Sequence, residues 1–408
     1  MNRLNSIKSE MLPSSWKLLP VGKVLLDTQY GTNEPAVTSG NTRVVGMKDI
    51  QEGKIILNDL SRSDLSEDER QNYLLCRGDL LLNRTNSYDL VGKVGLFESD
   101  EEAAFASYLV RLKVDRKQVL STYLNFWLNG QAAQTVVKKI ATRAISQANV
   151  NPSEFKKHCF VPLPPLPEQA AIADLLSTWD EAIDKTERLI AVKEKQKKST
   201  MQSLLTGKKR LTGFQKPWSE FHLGELFKER SERGNYHLPL LSITRENGVI
   251  PRSEDRKDTS SEDKSNYLRI CPGDIGYNTM RMWQGVSALS SFEGIVSPAY
   301  TICTPKKGVD GEFMAYLFKL PRVVNLFYRY SQGLTSDTWN LKYHHFRQIR
   351  VTIPEIKEQK AIARVLKGCD EEISLLKQQA DALRRQKRGL MQKLLTGTWR
   401  VKTTKEAA

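Results

Sequence analysis

Long hydrophobic runs are missing from this 408-residue chain. No stretch reaches the roughly 18 apolar residues needed to span a bilayer. The opening MNRLNSIKSEMLPSSW has no apolar core of the secretory type. Cysteine is sparse and scattered: Cys76, Cys159, Cys271, Cys303 and Cys369 form no close metal-ligand pair, and an odd number cannot all pair within one chain. These absences exclude a membrane span and point to a reducing, cytoplasmic setting. The only histidines are His158, His222, His237, His344 and His345. If His344 and His345 sit on a strand, as we expect, they point to opposite sides and cannot share a metal.

Catalytic signatures are equally thin. There is no glycine-rich loop ending in Gly-Lys-Ser/Thr and no His-Glu-x-x-His. The VGKVG at Val91–Gly95 has the wrong spacing for a dinucleotide loop and reads as a bend or tight strand. Ser297–Tyr300, SPAY, has the outline of an amino-methylation loop. It carries serine where asparagine is needed and has no accompanying cofactor glycines, so it reads as a strand entrance. No enzyme is visible, and we expect no metal and no cofactor bound by this chain.

What the chain has in excess is positive charge. Lysine and arginine number 62 against 47 acidic residues, a formal net charge of +15. Such an excess favours an anionic partner, nucleic acid or a membrane surface. With 39% apolar and 27% charged residues, the chain can build two or three domains with a very polar surface.

It also has a repeat. The segment from Pro164 to Gly207 and that from Pro354 to Gly397 align without a gap, Glu168-Gln169 on Glu358-Gln359 and Leu204-Leu205-Thr206-Gly207 on Leu394-Leu395-Thr396-Gly397, a constant offset of 190 residues. Steps of four and three run through Ile172, Leu176, Trp179, Ile183, Thr186, Ile190, Lys193, Lys197, Thr200 and Leu204. The second copy has Ile362, Leu366, Cys369, Ile373, Leu376, Ala380, Leu383, Lys387, Leu390 and Leu394. That spacing keeps one narrow stripe facing a partner helix. Prolines precede each segment and glycines close it. Two helices of about 40 residues, each about 60 Å long at 1.5 Å per residue, would bury each other's stripe. Spacing alone allows either relative direction.

Around the helices lie two diverged copies of a second unit. Tyr73–Asn83, YLLCRGDLLLN, matches the shape of Tyr267–Asn278, YLRICPGDIGYN, with Gly78-Asp79 and Gly273-Asp274 as turns between apolar runs. Each unit reads as a strand-rich body, one or two helices and a strand into the long helix. The expected boundaries are 1–161 for the first globule, 162–213 for the central helix and its short basic linker, 214–350 for the second globule, and 351–408 for the distal helix and tail.

Each globule offers two polar stretches suited to reading DNA. One pair is Asn83, Arg84, Asn86, Tyr88 and Lys93, with Arg143, Ser146, Gln147 and Asn149 further on. The other is Asn278, Arg281, Trp283 and Gln284, with Gln332, Thr335, Ser336, Trp339, Lys342 and His344 further on. Arginine can bond guanine, and asparagine or glutamine adenine, in bidentate fashion, while lysine and serine hold phosphates.

The doubled P…EQ…IA…L…D…I…LLTG pattern, opening with PLPPLPEQ in the first copy and flanking two divergent globules, resembles the specificity subunit of type I restriction-modification enzymes, over essentially the whole chain. The resemblance implies an α/β fold: two mixed α/β target recognition domains separated by two long helices packed as an antiparallel coiled coil. It implies that each domain reads one half of a split, asymmetric site in double-stranded DNA. The helices would set the spacer and dock two modification (methyltransferase) subunits carrying S-adenosylmethionine for adenine methylation. Restriction/motor subunits using ATP and Mg would join that core. The chain itself would be non-catalytic. Two other classes compete: a solitary enzyme with an unrecognised site, and a coiled-coil adaptor with no DNA role.

Overall fold

The computed structural model describes residues 9–143, 147–245, 247–252, 263–335 and 338–402. Its backbone divides into two compact units. One comprises Met1–Glu187 with Gln378–Ala408, the other Arg188–Lys377. Each unit therefore holds one globule, the start of one long helix and the end of the other, so the unit boundaries fall inside the helices.

In the first unit a six-stranded sheet runs in the order 25–30, 109–114, 80–83, 94–96, 54–55, 50–51. Leu80, Leu81 and Leu82 on one of its inner strands are all fully buried. Leu80 and Leu82 face a core with Tyr123, Leu124 and Val137, whereas Leu81 faces Phe97 and Phe105. Apolar layers on both sheet faces explain why this strand reads as an unbroken leucine run rather than an alternating one. Helices Ser121–Asn129 and Gln131–Ile140 cover one face. Strand Phe160–Leu163 pairs antiparallel with Lys17–Pro20 and delivers the chain to the first long helix.

The second unit repeats the plan. A four-stranded sheet in the order 227–230, 300–305, 275–278, 287–289 packs on helices Gly311–Leu317 and Pro321–Tyr330. An aromatic core joins them: Tyr277 stacks on Phe346 at 5.2 Å, and Phe318 meets Phe227 and Phe327. Strand Arg350–Ile353 pairs with Ser219–His222 and leads to the second long helix.

The Gly-Asp turns are built alike. Gly78 and Gly273 take φ of +95° and +90°, a conformation that glycine adopts without a Cβ clash. The next aspartate folds back: Asp79 accepts from the Cys76 amide at 2.9 Å and Asp274 from the Cys271 amide at 2.8 Å. Each buried carboxylate faces an arginine, Arg111 at 3.6 Å and Arg230 at 2.7 Å.

The long helices are Leu166–Leu204 and Ile356–Leu394, 39 residues each. Within each unit, beside a mixed α/β globule, they pack against one another as an antiparallel coiled coil. In the first unit Asp180 meets Lys387 and Glu187 meets Arg384, so partner numbers rise on one helix as they fall on the other. In the second unit Lys193 meets Glu372 at 2.6 Å and Lys197 meets Asp370. Ile172, Leu176, Ile183, Leu204, Ile362, Leu366, Ile373 and Leu394 are buried, and Trp179, Leu376 and Leu383 are half-buried. Those near the helix ends are buried together with residues of the globule cores. Half-buried Lys193 and Lys197 give their ammonium groups to acidic residues of the other helix.

Each helix is anchored to its own globule by the Glu-Gln dipeptide. Gln169 accepts from the Leu120 amide at 2.9 Å and donates to the carbonyls of Gln118 and Pro164. Gln359 accepts from the Asp310 amide at 2.8 Å and donates to the carbonyls of Gly308 and Pro354. Leu120 and Asp310 are the capping residues of a globule helix, so one side chain ties two helix starts together.

Candidate nucleic-acid interface

The two candidate stretches of each globule, far apart in sequence, meet in space. In the first, strand Thr85–Asn86 pairs with Ala148–Asn149, which pairs with Thr142–Arg143. The Asn149 side chain donates to Thr85 Oγ1 at 3.1 Å, and Asn86 accepts from the Ser87 amide. The Arg143 guanidinium lies 3.6 Å from the centre of the Tyr88 ring, and Lys138 approaches the same ring at 4.9 Å. Arg84 stacks over Tyr30 at 5.0 Å. A cation held over an aromatic face is pre-oriented, and exposed Arg143 can still bond an anion from that position.

Lys138 was not among the sequence candidates. Its ammonium donates to the Tyr88 carbonyl and, at 3.2 Å, to that of Val91. Burial pushes it below the ordinary lysine range, and neighbouring Lys93 and Arg143 push the same way. It lies five residues before Arg143 in the sequence, which does not announce its fold-back onto the Tyr88 loop. Lys93 is half-buried beside it.

Asn83 departs from expectation. It is 1% exposed, because it ends an interior strand whose backbone is bonded to Lys93 and Gly92, and its Oδ1 has no hydrogen-bond partner among the described residues. It presents no side chain to a ligand at the surface. Ser146 and Ser336 lie outside the described residues.

In the second globule the meeting point is aromatic. Trp283 and Trp339 sit edge to face at 5.1 Å, and Tyr328 packs on Trp339 at 4.9 Å. The Trp283 indole donates to the Met280 carbonyl at 3.0 Å. Gln332 and Asn340 exchange backbone hydrogen bonds at 2.8 Å, and Thr335 is exposed. Arg281 is exposed beside Trp283.

Lys342 and His344 line an open pocket with Glu229, Arg230, Arg233 and Arg347. Burial raises the Glu229 carboxyl above its ordinary range, with His344 opposing. Arg230, Arg233 and Arg347 were missed; only the fold brings residues about 110 positions apart to one rim. His344 and His345 are not on a strand. They belong to the short helix Tyr343–Phe346, with ring centres 3.9 Å apart, because buried Phe346 must turn inward to the aromatic core.

Each unit also carries a buried acid at the root of its long helix. Glu168 accepts from Trp16 Nε1 at 3.1 Å and from Arg400 at 2.9 Å. Glu358 accepts from Arg210 at 2.6 and 2.7 Å, and Arg210 lies over Trp218. These are structural clamps, since both carboxylates are satisfied and almost wholly buried. Among the described residues no cluster of three or more His, Cys, Asp or Glu could hold a metal, and no helix is long and apolar enough to cross a membrane.

Each globule thus carries a basic-aromatic surface unlike that of the other and is clamped to the root of a long helix. The model of the type I restriction modification DNA specificity domain matches residues 31–194 and again 215–385, and the chain belongs to that family. A protein of Methanocaldococcus jannaschii, provisionally named the MjaX type I restriction enzyme specificity subunit, is 26% identical over 96% of this chain and 95% of its own. The MjaVIII specificity subunit of the same organism is 26% identical over 79% of each chain. Among solved structures, the S subunit of a type I restriction-modification system from M. genitalium covers 97% of this chain and 99% of its own, with TM-score 0.57 and 16% identity. A chain from a structure describing complex assembly and conformational transition of the type I R-M system covers 95% and 99%, with TM-score 0.60 and 17% identity. At such identities the structural likeness concerns the fold.

Proposed function

We propose that this chain is the non-catalytic, sequence-reading subunit of a type I restriction-modification complex. In this reading each globule reads one half of a bipartite, asymmetric site in double-stranded DNA. The long helices set the spacer and dock two modification subunits, with restriction/motor subunits joining them. S-adenosylmethionine then belongs to the modification subunits, and ATP and Mg to the motor subunits.

One observation carries the reading. The Glu-Arg clamps recur at the 190-residue offset, Glu168 with Arg400 and Glu358 with Arg210, while the candidate surfaces of the globules differ: Arg143 on Tyr88 in one, Trp283 on Trp339 in the other. A repeated scaffold suits two copies of one partner. Unlike heads suit two unlike half-sites.

The test is base-resolution mapping of adenine methylation after co-expression with a compatible modification subunit. A split motif appearing only when both chains are present supports the proposal. Exchange of residues 217–350 for those of a relative should change one half of that motif and leave the other. No methylation with a verified complex and an active modification subunit would move weight to an adaptor role.

A further inference from the structure

The ion pairs along the coiled coil fall into two kinds. Lys387 with Asp180 and Lys197 with Asp370 occupy equivalent places in the repeat and carry the same charges in both units. Glu187 with Arg384 and Lys377 with Glu194 also occupy equivalent places, but there the charges are exchanged. Glu187 corresponds to Lys377, and Glu194 to Arg384.

This exchange has a consequence for pairing between molecules. Because the two helices share one register, the first could in principle pair with the first helix of another copy, and the second with the second. Lys197 would then still find an aspartate in Asp180, and Lys387 would find Asp370. The exchanged positions would not be matched. First-with-first pairing sets Glu187 against Glu194 twice, and second-with-second sets Lys377 against Arg384 twice. Lys193 would lose Glu372 at 2.6 Å and face Ala182, while Glu372 would face Leu383.

We infer that the charge exchange at these four residues is a specificity device by which each long helix accepts the other half of the repeat and refuses its own kind in a second copy of this chain. The conserved-charge pairs hold register and are indifferent to the partner; the exchanged pairs choose it. Each single pair is partly exposed and therefore weak. The choice arises because every opposite-charge contact becomes a like-charge contact on switching partners. It operates whatever the globules bind.

The test begins with the intact folded chain, carrying a protease site inserted in the 208–216 linker. After cutting, it is mixed with a heavy-isotope copy treated in the same way. Native mass spectrometry then counts first-half/second-half pairs against self-pairs, once label scrambling in the mixed pairs is complete. For the unchanged sequence we expect the mixed pair to exceed its statistical share by about tenfold or more. E187K/R384E keeps an opposite-charge contact in the native pairing and makes both self-pairings equally compatible, so it should return the populations towards statistical. E194K/K377E should do the same from the other unit and leaves the Arg384 contacts with Glu52 and Asp381 in place. A statistical mixture from the unchanged sequence overturns the inference, as does an undiminished excess in both variants. Halves that never exchange in any of the three proteins overturn it too, since the charges would then decide nothing.

Discussion

Arg210 closes on Glu358 through two hydrogen bonds, Nε to Oε1 at 2.6 Å and Nη2 to Oε2 at 2.7 Å. The carboxylate it holds is 1% exposed. Removing only the cation strands a buried charge, which costs more than removing both partners. Arg210→Ala should therefore lower the urea midpoint of the chain more than the double variant R210A/E358Q does. Equal midpoints for the two proteins would show that the clamp is not electrostatically coupled.

Leu366 is fully buried where the second long helix meets its globule, whereas Leu375 on the same helix is 65% exposed. Leu366→Ala should cost about 2–5 kcal/mol of unfolding free energy. Leu375→Ala should stay within about 0.5 kcal/mol. Denaturant unfolding of the two variants checks this directly.

The two surfaces predict separable losses in target reading. Arg143→Ala and Tyr88→Ala should relax or abolish one half of the methylated motif, and Trp339→Ala the other. An arginine lost from a base contact costs about 1–3 kcal/mol of discrimination. Lys342→Ala should weaken binding to all sequences alike and reduce the salt slope by about 1. Asn83→Ala should leave the motif unchanged, because that side chain is inside. Methylation mapping and salt-dependent DNA binding read these outcomes.

Burial raises the Cys159 thiol from 9.0 to about 12. The unfolded chain releases this proton near pH 9 while the folded chain keeps it, so the folded state binds more protons in between. Its contribution to stability is complete below pH 9 and falls as pH rises from 9 towards 12. Cys159→Ala should flatten that part of the stability curve. Thiol labelling at pH 8 should modify exposed Cys76 in the native protein and Cys159 only on unfolding.

The long helices were the most legible part of the sequence, because a stripe such as Ile362, Leu366, Ile373 is a local pattern set by 3.6 residues per turn. The Gly-Asp turns were legible for the same reason. The globule tips were legible only as ingredients. Arg143 and Tyr88 were both named, but nothing in either segment says that one will lie 3.6 Å above the other; that depends on the Thr85–Ala148 pairing across some sixty residues. Asn83 misled because an asparagine at a strand end looks solvent-facing unless the sheet beside it is known. The histidine pair misled because Phe346, two residues on, has an aromatic core to fill. Spacing also marked where the long helices begin and end, yet not that each compact unit would take half of both.

The amides of Gln169 and Gln359 act, in mechanical terms, as rivets. Each binds the root of a long helix to the capping residue of a globule helix and to the loop before it. A globule riveted at that point cannot swivel on its helix without breaking both of those hydrogen bonds. Motion of each globule against the root of its own helix is therefore resisted at the joint rather than absorbed by a free hinge.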